Sequence, residues 1–191
     1  VKLIDDYAAL LAKPAKSADE TALIRLSTVS LKPTVSNVPF SHLVASYQAA
    51  LKDPAKTLAI IKRTEHANLA SAQEEVIKTE LDFIDQWLKQ WAPPDAKFEL
   101  IEKVNDRQFT DSERQFLTNL AAKIETAPPN ADGQWFHQAV YELKEAAGLE
   151  PKQAFGPLYR ALIGQEQGPR AGWFLSILPR DWLIKRLRFE A

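Results

Sequence analysis

The sequence has no cysteine and no methionine. Without cysteine there is no disulfide framework, no thiolate metal site and no thiol nucleophile. Histidine is scarce as well. His42, His66 and His137 are the three present, and none has a second histidine at the i+3 to i+5 spacing of a helical metal site. Structural roles are therefore expected for all three, and no metal is expected. The longest apolar runs, such as 173–175 and 182–184, fall far short of the ~20 residues that span a bilayer. No basic segment followed by an apolar one opens the chain, so no membrane partner and a cytoplasmic location are expected. The chain begins at Val1 rather than at a methionine, which reads as a fragment or a processed chain.

The signatures of chemistry are missing too. There is no G-x-G-x-x-G or Walker-type phosphate loop and no G-x-S-x-G elbow. The carboxylate pairs Asp5-Asp6, Glu74-Glu75 and Asp82/Asp85 sit on polar helix faces, where solvated surface is the plain reading. No catalytic residue is assigned, and a binding or structural module is what these absences leave.

Helix signals dominate what is there. Leu3, Ile4, Tyr7, Leu10 and Leu11 share one face of an opening helix that should stop before Pro14. Residues 13–20 are polar and alanine-rich, the composition of a mobile loop. Residues 22–31 alternate Ile24, Leu26 and Thr28 against Leu23, Arg25 and Ser27, which predicts a short strand or part of a small hairpin. Asp53-Pro54 is an N-cap with proline at the first helical position. One long helix is expected over 69–91, halted by Pro93-Pro94. Thr110-Asp111-Ser112-Glu113 has capping-box spacing, and Gly148 and Gly164 are placed to close helices in the left-handed conformation. About eight helices result. The fold class is mainly α, a multi-helix body over 37–191 preceded by a small strand-containing connecting segment over 1–36.

The net charge is -1, but residues 1–150 carry 17 basic and 22 acidic side chains, whereas 151–191 carry seven and three. That polarity points an anionic partner at the C-terminal part. There, Gly164, Gly168, Pro169 and Gly172 interrupt the helices and alternate with Arg160, Gln165, Arg170, Trp173 and Phe174, with Lys185 and Arg186 beyond. Guanidinium groups hold phosphates, and aromatic or guanidinium planes stack on unpaired bases. These seven side chains are the candidate RNA-binding residues. The plain alternative makes Trp173 and Phe174 core residues and pairs Arg170 with Glu166.

The run 155–178, FGPLYRALIGQEQGPRAGWFLSIL, resembles the C-terminal signature of class I lysyl-tRNA synthetases, in which Tyr-Arg-x-Leu-[Leu/Ile]-Gly is followed by Gly-Pro-Arg and an aromatic-rich helix. A weaker likeness to the glutamyl-tRNA synthetase cage lies in the same place. Val38-Pro39-Phe40-Ser41-His42-Leu43-Val44, Trp91-Ala92-Pro93-Pro94-Asp95-Ala96-Lys97-Phe98 and Ile4-Asp5-Asp6-Tyr7 are similar to further lysyl-family segments in the right order. The resemblance implies an α-helix cage from about residue 37 that holds the anticodon of lysine tRNA, with residues 1–36 against the inner stem. It also implies a missing catalytic domain as a partner, because no H-I-G-H-like or K-M-S-K-S-like motif is present. ATP would be used by that domain, so this chain needs no cofactor; DNA is not an expected partner. The other readings are a helical protein–protein scaffold and a glutamyl-type cage.

The purified chain should therefore form no aminoacyl-adenylate. ATP–pyrophosphate exchange in the presence of lysine should stay at background, and measurable exchange would contradict this assignment.

Overall fold

The computed structural model describes residues 2–27 and 35–190. The chain divides into two compact units, Val1–Ala92 and Pro93–Ala191.

The first unit contains α1 (Lys2–Ala12), α2 (Ala18–Ser27), α3 (Phe40–Ala49), α4 (Pro54–Ile61), α5 (Ala67–Ala72) and α6 (Glu74–Gln90). The expected strand is overturned over 22–27, which are helical, while 28–31 lie outside the described residues. The cause is a capping box at Ser17-Ala18-Asp19-Glu20. The Glu20 amide donates to Ser17 Oγ at 3.2 Å, and the Ser17 amide donates to the Glu20 carboxylate at 2.8 Å. Two helix-start amides are thereby satisfied, and Lys13 adds an ion pair to Glu20 at 2.8 Å. The segment read as a loop is thus partly a helix start. None of α2 is buried, and Leu23 and Leu26 are exposed.

Asp53 caps α4 through the Lys56 amide, as its sequence predicts. The long helix expected over 69–91 is two helices broken at Gln73, whose side-chain oxygen accepts the Asn37 amide at 3.2 Å. Ile77, Leu81, Ile84 and Leu88 form the buried stripe of α6, meeting Leu43 of α3 and Ile61 of α4 in a core without solvent exposure beyond a few per cent. α3 has no side-chain cap of its own at Pro39. Asp5, from α1, accepts the Ser41 amide at 3.1 Å instead, a carboxylate where the helix dipole favours one.

His42 is fully buried in α3, edge-on to His66 with ring centroids 4.7 Å apart. Burial, followed by the neighbouring His66, holds its imidazole down to about 2. Burial also lowers His66, while Glu65 opposes that shift.

The second unit contains α7 (Asp111–Glu125), α8 (Gly133–Ala146), α9 (Pro151–Ile163), α10 (Ala171–Ile177) and α11 (Arg180–Leu187), with 3-10 turns at Pro94–Ala96 and Asp106–Gln108. The caps fall where local sequence puts them. Thr110 and Glu113 make the reciprocal box, Gly148 and Gly164 adopt φ of 63° and 69°, and Pro151 opens α9. Leu117, Leu120 and Ile124 of α7, Val140 of α8, Leu158 and Leu162 of α9, Phe174 of α10 and Leu183 and Leu187 of α11 are all at 0 % exposure. No helix among the described residues is long and apolar enough to cross a membrane.

Two outcomes follow. With no buried side chain, α2 should exchange its amide hydrogens faster than α6, whose apolar stripe is fully buried; equal protection of the two would contradict this. The unfolded chain binds a proton at His42 below about pH 6.5 that the fold refuses. Stability should therefore fall as pH drops through that value, by roughly 1.4 kcal/mol per pH unit from this group. His66 adds a loss of the same sign. Urea midpoints measured between about pH 7 and pH 5 should decline in the parent chain and less steeply in His42→Gln.

Candidate nucleic-acid interface

The C-terminal unit carries an open cavity of about 570 Å³ walled by α8, α9 and the start of α10. Its shape begins with two glycines. A Cβ on Gly172 would lie 2.5 Å from the His137 amide nitrogen and would strike the carbonyl of Gly133, and a Cβ on Gly133 would lie 2.8 Å from the Trp173 ring. Only glycine lets α10 cross the first turn of α8 backbone to backbone. The crossing lays Trp173 over the start of α8, where Asp132 caps the helix through the Trp135 amide at 2.9 Å.

The segment between α9 and α10 is fastened by Tyr159. Its hydroxyl donates to the Pro169 carbonyl, and Gly168 lies so close to its ring that a Cβ would sit 2.7 Å away. Burial pushes the Tyr159 phenol up to about 12, so it stays a hydrogen-bond donor at neutral pH. With Pro169 fixed, Arg170 becomes the N-cap residue of α10 and is exposed.

Inside the cavity, aromatic faces dominate. His137 and Tyr141, one turn apart on α8, have ring centroids 4.4 Å apart, and Phe155 of α9 follows 5.6 Å from Tyr141. Trp173 faces them from α10, half-buried. Polar groups converge among the rings: Gln134, His137, Tyr141 and Arg170 line the cavity, and none hydrogen-bonds or ion-pairs through its side chain with another described residue. Lys144 Nζ lies 5.3 Å from the Tyr141 ring centre.

The seven candidate residues are dispersed. Arg170 and Trp173 both line the cavity. Arg170 does not pair with Glu166, because Glu166 is taken by Arg160 at 2.8 Å. Arg160 also bonds Glu113 at 2.5 Å and stands 5.2 Å from the Phe109 ring. Burial works against its charge, but Glu166 and Glu113 outweigh it and raise its value. Arg160 is thus a structural clamp between α9 and α7. Gln165 donates to the Lys97 carbonyl at 3.1 Å. Phe174 is corrected to a core residue, fully buried 5.2 Å from Phe98. Arg186 is corrected likewise: it is 1 % exposed and donates to the carbonyls of Ile101 and Glu102 at 2.7 and 2.9 Å. Its guanidinium lies over Trp182 at 4.9 Å, and burial lowers its value. Lys185 is exposed on α11 and does not line the cavity.

The basic excess after residue 151 is accordingly spent mostly inside the fold. Arg180 donates to the Ala127 and Pro128 carbonyls, and Arg188 pairs with Glu125. Gln134, Tyr141 and Phe155 are cavity residues that the sequence did not single out, and His137, for which a structural role was expected, lines the cavity too. Gln134, His137 and Tyr141 recur at i, i+3 and i+7, which puts them on one face of α8, and that spacing was the available signal.

Residues 43–190, which include every wall of the cavity, match the family model described as an anticodon binding domain. The chain is 36 % identical over 169 residues to a lysine–tRNA ligase of Methanosarcina barkeri (strain Fusaro / DSM 804), covering 79 % of this chain and 31 % of that protein. It is 30 % identical over 173 residues to the lysine–tRNA ligase of Archaeoglobus fulgidus, covering 91 % and 34 %, and 28 % identical over 158 residues to that of Pyrococcus horikoshii, covering 82 % and 30 %. The chain spans about a third of the length of these curated relatives. With most of its length matched and a cavity of aromatic faces and free polar groups inside the match, the chain belongs to the anticodon-binding domain family.

Proposed function

We propose that the chain is the anticodon-binding module of a class I lysyl-tRNA synthetase and that the cavity of the C-terminal unit grips the anticodon of lysine tRNA. The observation that carries this reading is the convergence of Gln134, His137, Tyr141 and Arg170, none hydrogen-bonded or ion-paired through its side chain among the described residues, on a space walled by aromatic rings. Anticodon bases are unpaired and present flat faces to such rings, while their edges and phosphates take the polar groups. The lysine anticodon is uridine-rich. A uracil edge offers an N–H between two carbonyls, and the side-chain amide of Gln134 can donate to a carbonyl and accept from the N–H. Arg170 supplies a positive charge that no described residue neutralises, suited to a phosphate or to the face of a base.

The longer relatives are named as lysine–tRNA ligases. The parent protein would attach lysine to tRNA with ATP on a catalytic domain beyond this chain, in the cytoplasm, with residues 1–36 as the connection to it. The exposed Leu3, Leu23 and Leu26 of α1 and α2 support that connection, since they present apolar surface without a cover among the described residues.

Arg170→Ala tests this reading. It should weaken binding of lysine tRNA by roughly 1–3 kcal/mol and flatten the salt dependence, with an unchanged melting temperature. Unchanged affinity, or binding indifferent to salt, would favour a protein–protein scaffold. A preference for the glutamate anticodon loop over the lysine one would favour the glutamyl-type cage.

A further inference from the structure

We infer that Arg160 is a positioning residue for RNA binding: it holds the Glu166 carboxylate in the space left by Gly156 and so keeps Arg170, the cation of the cavity, free for a phosphate. This rests on the reading of the cavity as the anticodon's site.

Chain proximity makes Glu166 the natural competitor for Arg170. It is the one carboxylate between residues 151 and 180, and Arg170 follows it by four residues. Four residues span at most ~14 Å even when fully extended. The backbone is also tied on both sides of Glu166. Gln165 donates to the Lys97 carbonyl at 3.1 Å, and the Pro169 carbonyl accepts from the Tyr159 hydroxyl. Glu166 therefore stays near Arg170, and the placing of its side chain decides whether the two pair. A carboxylate turned to Arg170 would take the charge-assisted bonds that an RNA phosphate needs.

The seat that prevents this is built on α9. Arg160 Nη1 donates to Glu166 Oε1 at 2.8 Å. The other oxygen, Oε2, lies over Gly156, one turn earlier, where a Cβ would stand 2.8 Å from it. Any other residue at 156 would push the carboxylate aside. Among the described residues no side chain but that of Arg160 bonds the Glu166 carboxylate, so its place depends on these two positions of α9.

The clamp to α7 does not need Glu166. Arg160 reaches Glu113 through a separate nitrogen, Nη2, at 2.5 Å, and Glu113 also accepts the Thr110 amide at 2.8 Å. A guanidinium has donors enough for two carboxylates. The second one held here is the one that would otherwise compete for Arg170.

The experiment measures the affinity of the full chain for lysine tRNA across a range of salt concentrations, with a melting temperature for each variant. Gly156→Ala leaves every charge and the Arg160–Glu113 pair in place and displaces only the far end of the Glu166 side chain. It is expected to weaken binding several-fold. Arg160→Gln releases Glu166 altogether. It should weaken binding roughly ten-fold and lower the slope of log affinity against log salt by roughly 0.7. Adding Glu166→Gln to either variant should restore both affinity and slope, without restoring the stability that Arg160→Gln removes. Adding Glu113→Gln instead makes the same change in net charge and keeps a side chain suited to the capping box, and it should restore neither. In an Arg170→Ala background, Gly156→Ala should weaken binding no further. Where Arg160→Gln is unfolded, Gly156→Ala carries the test alone. If Gly156→Ala binds as the parent does while Arg170→Ala is weakened, Arg160 is only a clamp and this inference alone falls. It falls in the same way if Glu166→Gln fails to restore binding, or if Glu113→Gln restores it equally. Should Arg170→Ala itself bind like the parent, the cavity is not the anticodon's site and the functional reading falls with it.

Discussion

Gly133 and Gly172 remove the side chains from the point where α8 and α10 cross, and the cavity of the C-terminal unit is built around that contact. Two helices carrying ordinary side chains pack with their axes ~8–10 Å apart. Here the backbones touch, and both glycines line the cavity beside that contact. Tyr159 completes the arrangement from beneath, holding the Pro169 carbonyl so that Arg170 and Trp173 emerge at a set place. The cavity is already formed without a ligand. Little ordering is then charged against binding, which is where preorganised sites gain affinity.

Most of the arginines in this unit are structural. Arg160, Arg180, Arg186 and Arg188 cross-link helices and loops through carboxylates and carbonyls. Arginine suits this work because its planar fork keeps its charge while bonding two acceptors at once. Arg170 is left over at the cavity. The attraction felt by an anion at the cavity is therefore local, which reconciles a net charge of -1 with the proposed nucleic-acid partner.

Features written in a few adjacent residues were legible from the sequence. The Asp53-Pro54 cap, the Thr110–Glu113 box and the terminating glycines at 148 and 164 depend on their own neighbours, and each is where it was expected. Ser17-Ala18-Asp19-Glu20 has the same local logic, but the alternation of Ile24 and Leu26 suggested a strand and hid it. The break at Gln73 had no local mark, since the residue that uses it, Asn37, is remote in sequence. The candidate site was half legible for the same reason. Glycine, proline, Arg170 and Trp173 announce an interhelical turn. Whether an arginine points outward or clamps a distant carbonyl, as Arg186 does at Ile101 and Glu102, is decided only when those carbonyls arrive. The resemblance of 155–178 to lysyl-tRNA synthetases supplied the functional class that periodicity alone could not.

Arg186 also bears on the order in which the molecule is made. It belongs to α11, the last helix of its unit, yet its guanidinium satisfies carbonyls at 101 and 102, near the beginning of that unit. Leu183 and Leu187 of the same helix fill the core against α7. During synthesis the earlier helices of the unit emerge with these acceptors and this apolar surface still open, and they must wait for α11 to close them. The C-terminal unit is thus completed from its end, and a nascent chain halted before α11 keeps its core uncovered.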